Sequence, residues 1–73
     1  MNGNESVEEL VALETECLRR FRARASQIKA QNPLMSERIA FCKAVESLKQ
    51  TADRYSWART RLMFLGVPAQ PLR

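Results

Sequence analysis

The chain of 73 residues contains no histidine, only 2 glycines and only 2 cysteines. Without histidine it lacks the side chain most used for acid–base catalysis and zinc binding. Cys17 and Cys42 form no CxxC pair, so we expect no metal site and take both for small apolar core residues. The scarcity of glycine leaves no phosphate-binding loop and few loops to carry a site. These absences predict a protein that is not an enzyme, with no catalytic residue, no cofactor and no small-molecule substrate.

A long apolar run is also missing. No stretch approaches the roughly 18 apolar residues of a membrane span, and the opening MNGNESVEEL has neither the basic nor the apolar region of a secretory signal. We therefore expect a cytoplasmic protein that does not bind membranes. With 12 Lys+Arg against 8 Asp+Glu, the net charge of +4 keeps nucleic acid among the possible partners without requiring it.

What is present is helical periodicity. Ser6 and Glu9 form an S-x-x-E capping box just before an amphipathic run, which predicts a first helix over about residues 6–31. The Asn32-Pro33 dipeptide ends that helix, because proline restricts the residue before it and lacks the N–H that a helix interior needs.

The same dipeptide can start a second helix, predicted over about residues 33–65. Ser36 is an alternative cap one turn later, and a break near residues 50–53 is a further alternative. Gly66, followed by valine and proline, predicts a stop of the Schellman type, with the glycine in the left-handed conformation.

Two helices joined this tightly usually pack antiparallel, so the predicted fold is an all-α two-helix hairpin. Its predicted parts are a disordered N-terminus over residues 1–5, a hairpin domain over residues 6–66 and an extended C-terminal tail over residues 67–73. Because two helices leave much of each apolar stripe uncovered, we expect a homodimer that forms a four-helix bundle.

Residues whose numbers sum to about 64 should lie level in such a hairpin. This rule predicts Phe21 against Phe41 and Leu10 against Tyr55. It also places residues 59–65 beyond the end of the first helix, where their apolar side chains need a second chain.

Two charged residues interrupt the apolar stripes. Glu14 lies near the centre of the first stripe and Arg59 near the centre of the second, and a charge inside a core must be paired. Under the pairing rule the two are too far apart to meet within one chain. Each is expected either to find its counter-ion on a second chain or to extend its charged end to the edge of the stripe.

The most apolar stretch is YSWARTRLMFLG, at the end of the second helix. Aromatic residues, methionine and arginine are the residue types that dominate protein interfaces. We therefore predict a small regulatory or adaptor protein, chaperone-like or inhibitor-like, that binds another protein through this stretch. The predicted partner-binding residues are Tyr55, Trp57, Arg59, Arg61, Leu62, Met63, Phe64 and Leu65.

Two other functions remain open from the sequence. One is an RNA- or DNA-binding helical bundle, because a group of basic residues on the first helix suits phosphate binding. The residues of that group are Arg19, Arg20, Arg22, Arg24 and Lys29. The other is a purely structural oligomerisation module.

Overall fold

The computed structural model describes residues 6–69, which form three α-helices and no strand. The helices are α1 (Val7–Gln31), α2 (Glu37–Ser47) and α3 (Lys49–Phe64). The predicted all-α class is confirmed for this range, in which no helix has both the length and the apolar character needed to cross a membrane. The predicted disordered residues 1–5 and the last four residues of the predicted tail lie outside the described residues.

The start of α1 is held by the predicted capping box. The backbone N–H of Glu9 donates to Ser6 Oγ at 3.0 Å, and the backbone N–H of Ser6 donates to Glu9 Oε1 at 3.4 Å. At the other end, the N–H of Asn32 donates to the carbonyl oxygens of Ile28 and Lys29, at 3.0 and 3.1 Å. The first helix therefore begins and ends where the sequence predicted.

The second helix begins later than predicted. Asn32 is the C-cap of α1 and not the N-cap of α2, and its side-chain amide donates to the Ile28 carbonyl oxygen. The Lys29 ammonium donates to the carbonyl oxygens of Pro33 and Met35, which holds the chain in a turn. The cap of α2 is Ser36, whose Oγ accepts from the N–H of Ile39 at 3.1 Å, so the alternative start one turn later is the one observed.

The predicted single helix over residues 33–65 is wrong, because it is interrupted at Leu48. This residue has φ −114° and ψ 65° and serves both as C-cap of α2 and as N-cap of α3. No side chain caps the start of α3, and the break lies before the Gln50–Asp53 segment given as the alternative. Leu48 is instead held by packing, since it is half-buried against the core.

The end of α3 is the predicted Schellman motif. Gly66 has φ +80°, the N–H of Val67 donates to the Leu62 carbonyl oxygen at 2.9 Å, and the N–H of Gly66 donates to that of Met63 at 3.0 Å. These two bonds satisfy carbonyl oxygens that the last turn would otherwise leave without a donor.

The core centres on Phe21 of α1, which contacts both of the later helices. Its ring meets those of Phe41 and Tyr55 edge to face, with centroid distances of 5.8 and 5.9 Å. Cys17 and Leu18 complete the buried cluster. The predicted neighbour Phe41 is confirmed, whereas Tyr55 was predicted against Leu10 and lies against Phe21.

The register between α1 and α3 differs from the predicted one. A guanidinium nitrogen of Arg59 lies 2.8 Å from a carboxylate oxygen of Glu14, so this residue of α3 meets α1 about two and a half helical turns nearer to the interhelical turn than the pairing rule placed it. Phe41, which lies before the break, keeps its predicted level against Phe21, so the displacement arises at Leu48, where the helical rise is interrupted. Residues 59–65 therefore lie beside α1, with Leu62 fully buried, and the predicted overhang is wrong.

Candidate protein-interaction surface

Exposed apolar side chains are concentrated at the C-terminal end of α3. Phe64 is 81% exposed and Trp57 is 47% exposed, and Met63 and Leu65 are also exposed. We call these four residues the α3 surface. Large apolar groups left in water lose the stabilisation that burial would give, about 1.5–3 kcal/mol for a side chain such as phenylalanine.

Trp57 and Phe64 lie on the side of α3 that faces away from α1. They are seven residues apart, two helical turns, so their side chains project in nearly the same direction. Ala58 and Leu62 project from the opposite side of the same turns and are fully buried. Trp57 and Phe64 therefore form a second apolar face of the helix and not an exposed edge of the core, with Met63 and Leu65 to either side of them.

Charged residues flank this second face. The guanidinium carbon of Arg61 lies 5.9 Å from the centroid of the Trp57 ring, in cation–π contact. Asp53 is exposed and stands four residues before Trp57, as Arg61 stands four residues after it. Asp53 was not among the predicted partner-binding residues, although its spacing from the tryptophan was visible in the sequence.

The structure divides the eight predicted partner-binding residues into two groups. Tyr55, Arg59 and Leu62 face α1 and are used inside the chain. The other five are exposed on α3 or at its end, namely Trp57, Arg61, Met63, Phe64 and Leu65. Only the second group is available to a partner without rearrangement, and partner binding itself stays a prediction.

Glu14 and Arg59 form an ion pair inside the chain, which sequence reasoning had excluded. The Glu14 side chain is 1% exposed and that of Arg59 is 18% exposed. Arg59 also donates to the Val67 carbonyl oxygen at 3.3 Å, which ties the Schellman turn to the pair. The nearby Tyr55 hydroxyl has a raised pKa, first because it is buried and second because of the Glu14 charge. Arg59 is thus committed to the fold.

No protein-family model, curated protein or solved structure matches this chain. The roles of its side chains therefore rest on the contacts that they make within it.

Two basic residues of the nucleic-acid alternative form ion pairs within α1 itself. Arg19 and Arg20 both donate to the carboxylate of Glu16, one turn before them. These hydrogen bonds, that of Arg19 first, lower the pKa of Glu16. The two guanidinium groups remain exposed, but the Glu16 carboxylate that lies beside both of them would repel a phosphate.

The remaining basic residues of that group lie around a broad groove or beside it. Arg24 donates to Ser47 Oγ at 3.3 Å and to Gln27 Oε1 at 3.1 Å, while Lys29 is held by the turn. Arg22 and Lys29 line the groove between α1 and α2, whose volume is about 1010 Å³. The structure does not bring the five predicted residues together on one face of the helix.

The two cysteines differ in environment. Cys17 is buried beside Phe21, and burial raises the pKa of its thiol. Cys42 is exposed, contrary to its predicted place in the core, and both thiols are free. Among residues 6–69, no three cysteine, aspartate or glutamate side chains converge in a way that would hold a metal ion.

Proposed function

We propose that this chain is a small non-enzymatic regulatory or adaptor protein, chaperone-like or inhibitor-like, that binds another protein through the α3 surface. One observation carries the proposal: Trp57 and Phe64 project together from the side of α3 opposite its buried side. A helix whose only task was to cover α1 would need apolar side chains on one side, and this helix has them on two.

The composition of the surface supports a protein partner. Tryptophan and arginine are enriched among the residues that carry most of the binding energy in interfaces, and phenylalanine and methionine are enriched in interfaces generally. Trp57 and Arg61 are already in cation–π contact, which reduces the side-chain freedom lost when a partner covers them. A groove that accepts two apolar side chains seven residues apart is a common site for an amphipathic helix.

The proposal includes the predicted homodimer. A four-helix bundle, as predicted from the sequence, would need all four helices to share one core. The exposed apolar face of α3 lies on the side away from α1, so it supports a dimer formed through α3 and not that bundle. The predicted overhang, one of the two grounds on which the dimer was first inferred, does not exist.

The test is site-specific photo-crosslinking in the cells that make the protein. A benzoyl-phenylalanine in place of Phe64 should form an adduct with one other protein, whereas the same group in place of Ala23, exposed on the far side of α1, should not. The captured protein, once purified, should bind the wild-type chain directly and bind the Trp57→Ala variant at least about tenfold more weakly.

Each other outcome contradicts the proposal in a specific way. Adducts between copies alone would leave the chain as a structural oligomerisation module. Adducts formed equally from both positions would show that the α3 surface is not selective. Binding to oligonucleotides that weakens steeply from low to moderate salt, with no protein adduct, would favour the nucleic-acid alternative, because phosphate contacts depend on salt and apolar contacts do not.

A further inference from the structure

We propose that the side of α3 that carries Trp57 and Phe64 is self-complementary and is covered, in the absence of a target, by α3 of a second copy lying antiparallel to it, with Trp57 at the twofold axis. This inference rests on the proposed function only for the surface itself. The inference adds the register of the dimer, in which Asp53 of each copy faces Arg61 of the other.

The outward side of α3 carries a continuous stripe of residues. Its members follow one another at alternating spacings of three and four, which keeps them on one side of a helix that packs against another helix. In sequence order they are Gln50, Asp53, Trp57, Thr60 and Phe64, with Arg61 beside the stripe. A second helix packed along this stripe covers both aromatic side chains at once.

The charges select an antiparallel copy. Asp53 stands four residues before Trp57 and Arg61 four residues after it, so rotation about Trp57 exchanges their positions. Two copies related in this way form two Asp53–Arg61 contacts, one on each side of the tryptophans. A parallel copy would instead place aspartate beside aspartate and arginine beside arginine, which is unfavourable.

The same register covers the aromatic residues. The two Trp57 rings meet at the axis with the stacked Arg61 side chains beside them. Phe64, seven residues after the axis, lies on the first turn of the other α3, near Gln50. That turn has no side-chain cap, and its outward residue Gln50 is exposed, so its flexible side chain can pack along the phenylalanine ring.

The contact is small, because each copy contributes one side of a helix of 16 residues. A total buried area below about 1,200 Å², or about 600 Å² per partner, is typical of weak and transient association. The dimer would therefore dissociate readily and return Trp57 and Phe64 to a target. Self-association and target binding would then compete for the same surface.

Charge reversal tests the register without removing an apolar side chain. Asp53→Arg and Arg61→Asp should each weaken self-association by about tenfold, since two ion pairs per dimer become two repulsions. An equimolar mixture of the two variants should associate about as tightly as wild type, because every contact in the mixed dimer again joins opposite charges. Sedimentation equilibrium over a wide concentration range measures all three, and circular dichroism confirms that each variant is folded.

Matched controls carry the same change of charge away from the stripe. Glu46→Arg and Lys43→Asp alter exposed residues of α2 and should leave self-association within about twofold of wild type. If they weaken it as much as the α3 variants do, net charge explains the effect and the proposed register is wrong.

Two further results would overturn the inference. Wild-type protein that stays monomeric at every concentration would exclude the dimer, and a mixture no tighter than its components would exclude the pairing of Asp53 with Arg61. A monomeric wild type would also remove the homodimer from the proposed function, but neither result bears on target binding, which the photo-crosslinker at position 64 tests separately.

Discussion

Glu14 is a carboxylate at a position where the stripe of α1 would ordinarily carry an apolar side chain. Its burial is tolerated because Arg59 reaches it at 2.8 Å and is itself largely shielded from water. A buried ion pair is not by itself a source of stability, since both charges lose their hydration. It does specify an arrangement, because any other register of α3 on α1 would leave a charge buried without its counter-ion.

Removing one partner of this pair should be far more harmful than removing both. Arg59→Met leaves the buried carboxylate without its guanidinium and should lower the free energy of unfolding by about 3 kcal/mol, a large part of what so small a domain has. The double variant Glu14→Leu/Arg59→Met should recover most of that loss. Urea denaturation of the wild type, both single variants and the double variant completes the cycle.

The outcome that would contradict this account is additivity. If the double variant loses the sum of the two single losses, the two side chains contribute independently and do not specify the register.

The sequence identified both residues as anomalous but could not join them. A charge on an apolar stripe is visible in the residue pattern, whereas the residues that lie level on two stripes depend on where the second helix is interrupted. Asp53 shows the opposite case. Its position four residues before Trp57 was visible from the start, yet the sequence indicated it only as part of a possible helix break until the structure showed which side of α3 is exposed.

At the scale of elements, the helix ends that are capped by a side chain or by glycine were predictable from the sequence. The helix break at Leu48, which uses neither, was not. Ser6, Ser36 and Gly66 each satisfy orphan backbone groups by a known local chemistry, so their residue types indicate where helices begin and end. Leu48 has no such chemistry. Its conformation is maintained by packing against residues distant in the sequence, which a local pattern does not contain.

The stop of α3 can be tested at Gly66. Nothing lies within 4 Å of a Cβ placed there, so the effect of Gly66→Ala is due to the backbone alone. With φ at +80°, alanine should lower the free energy of unfolding by about 1 kcal/mol. Gly66→Asn is the matched control, because asparagine tolerates the left-handed region, and it should lose less than half as much.

Thermal or urea denaturation followed by circular dichroism distinguishes the two variants. If the alanine and asparagine variants lose the same free energy of unfolding, the added side chain and not the left-handed backbone causes the destabilisation.

At the scale of the whole molecule, the fold class followed from periodicity but the assembly of the helices did not. The contact between Phe21 and Phe41 lies where the pairing rule placed it, whereas the contacts between α1 and α3 depend on the break at Leu48. Because that break was not predicted, the predicted neighbours on α3 were displaced by about two and a half turns. The predicted overhang of residues 59–65 was therefore wrong. Exposed apolar residues are nevertheless present on α3, on the side that faces away from α1.

The stability of the whole molecule should fall in alkaline solution. Burial raises the pKa of both Cys17 and Tyr55 above their ordinary values. Above about pH 9 the unfolded chain therefore loses these protons before the folded chain does, so the unfolded state binds fewer protons and the free energy of unfolding decreases as pH rises. At neutral pH both groups are protonated in either state, and their contribution does not change.

Tyr55→Phe provides the control, because it keeps the ring on Phe21 and removes the ionisable hydroxyl. Its unfolding free energy should decline less steeply than that of wild type at the alkaline end, and adding Cys17→Ala should flatten the profile further. If the free energy of unfolding falls equally steeply with pH in all three proteins, other groups cause the loss of stability in alkaline solution.

The break at Leu48 also determines where this chain can change its length. The turn over residues 32–36 is mostly exposed, and an extra residue there need not alter how the helices face one another. A single residue inserted after Leu48 would rotate α3 by about 100° relative to α2. Trp57 would then occupy the buried place of Ala58, and Arg61 that of Leu62. Insertions and deletions should therefore be tolerated between α1 and α2 and excluded between α2 and α3.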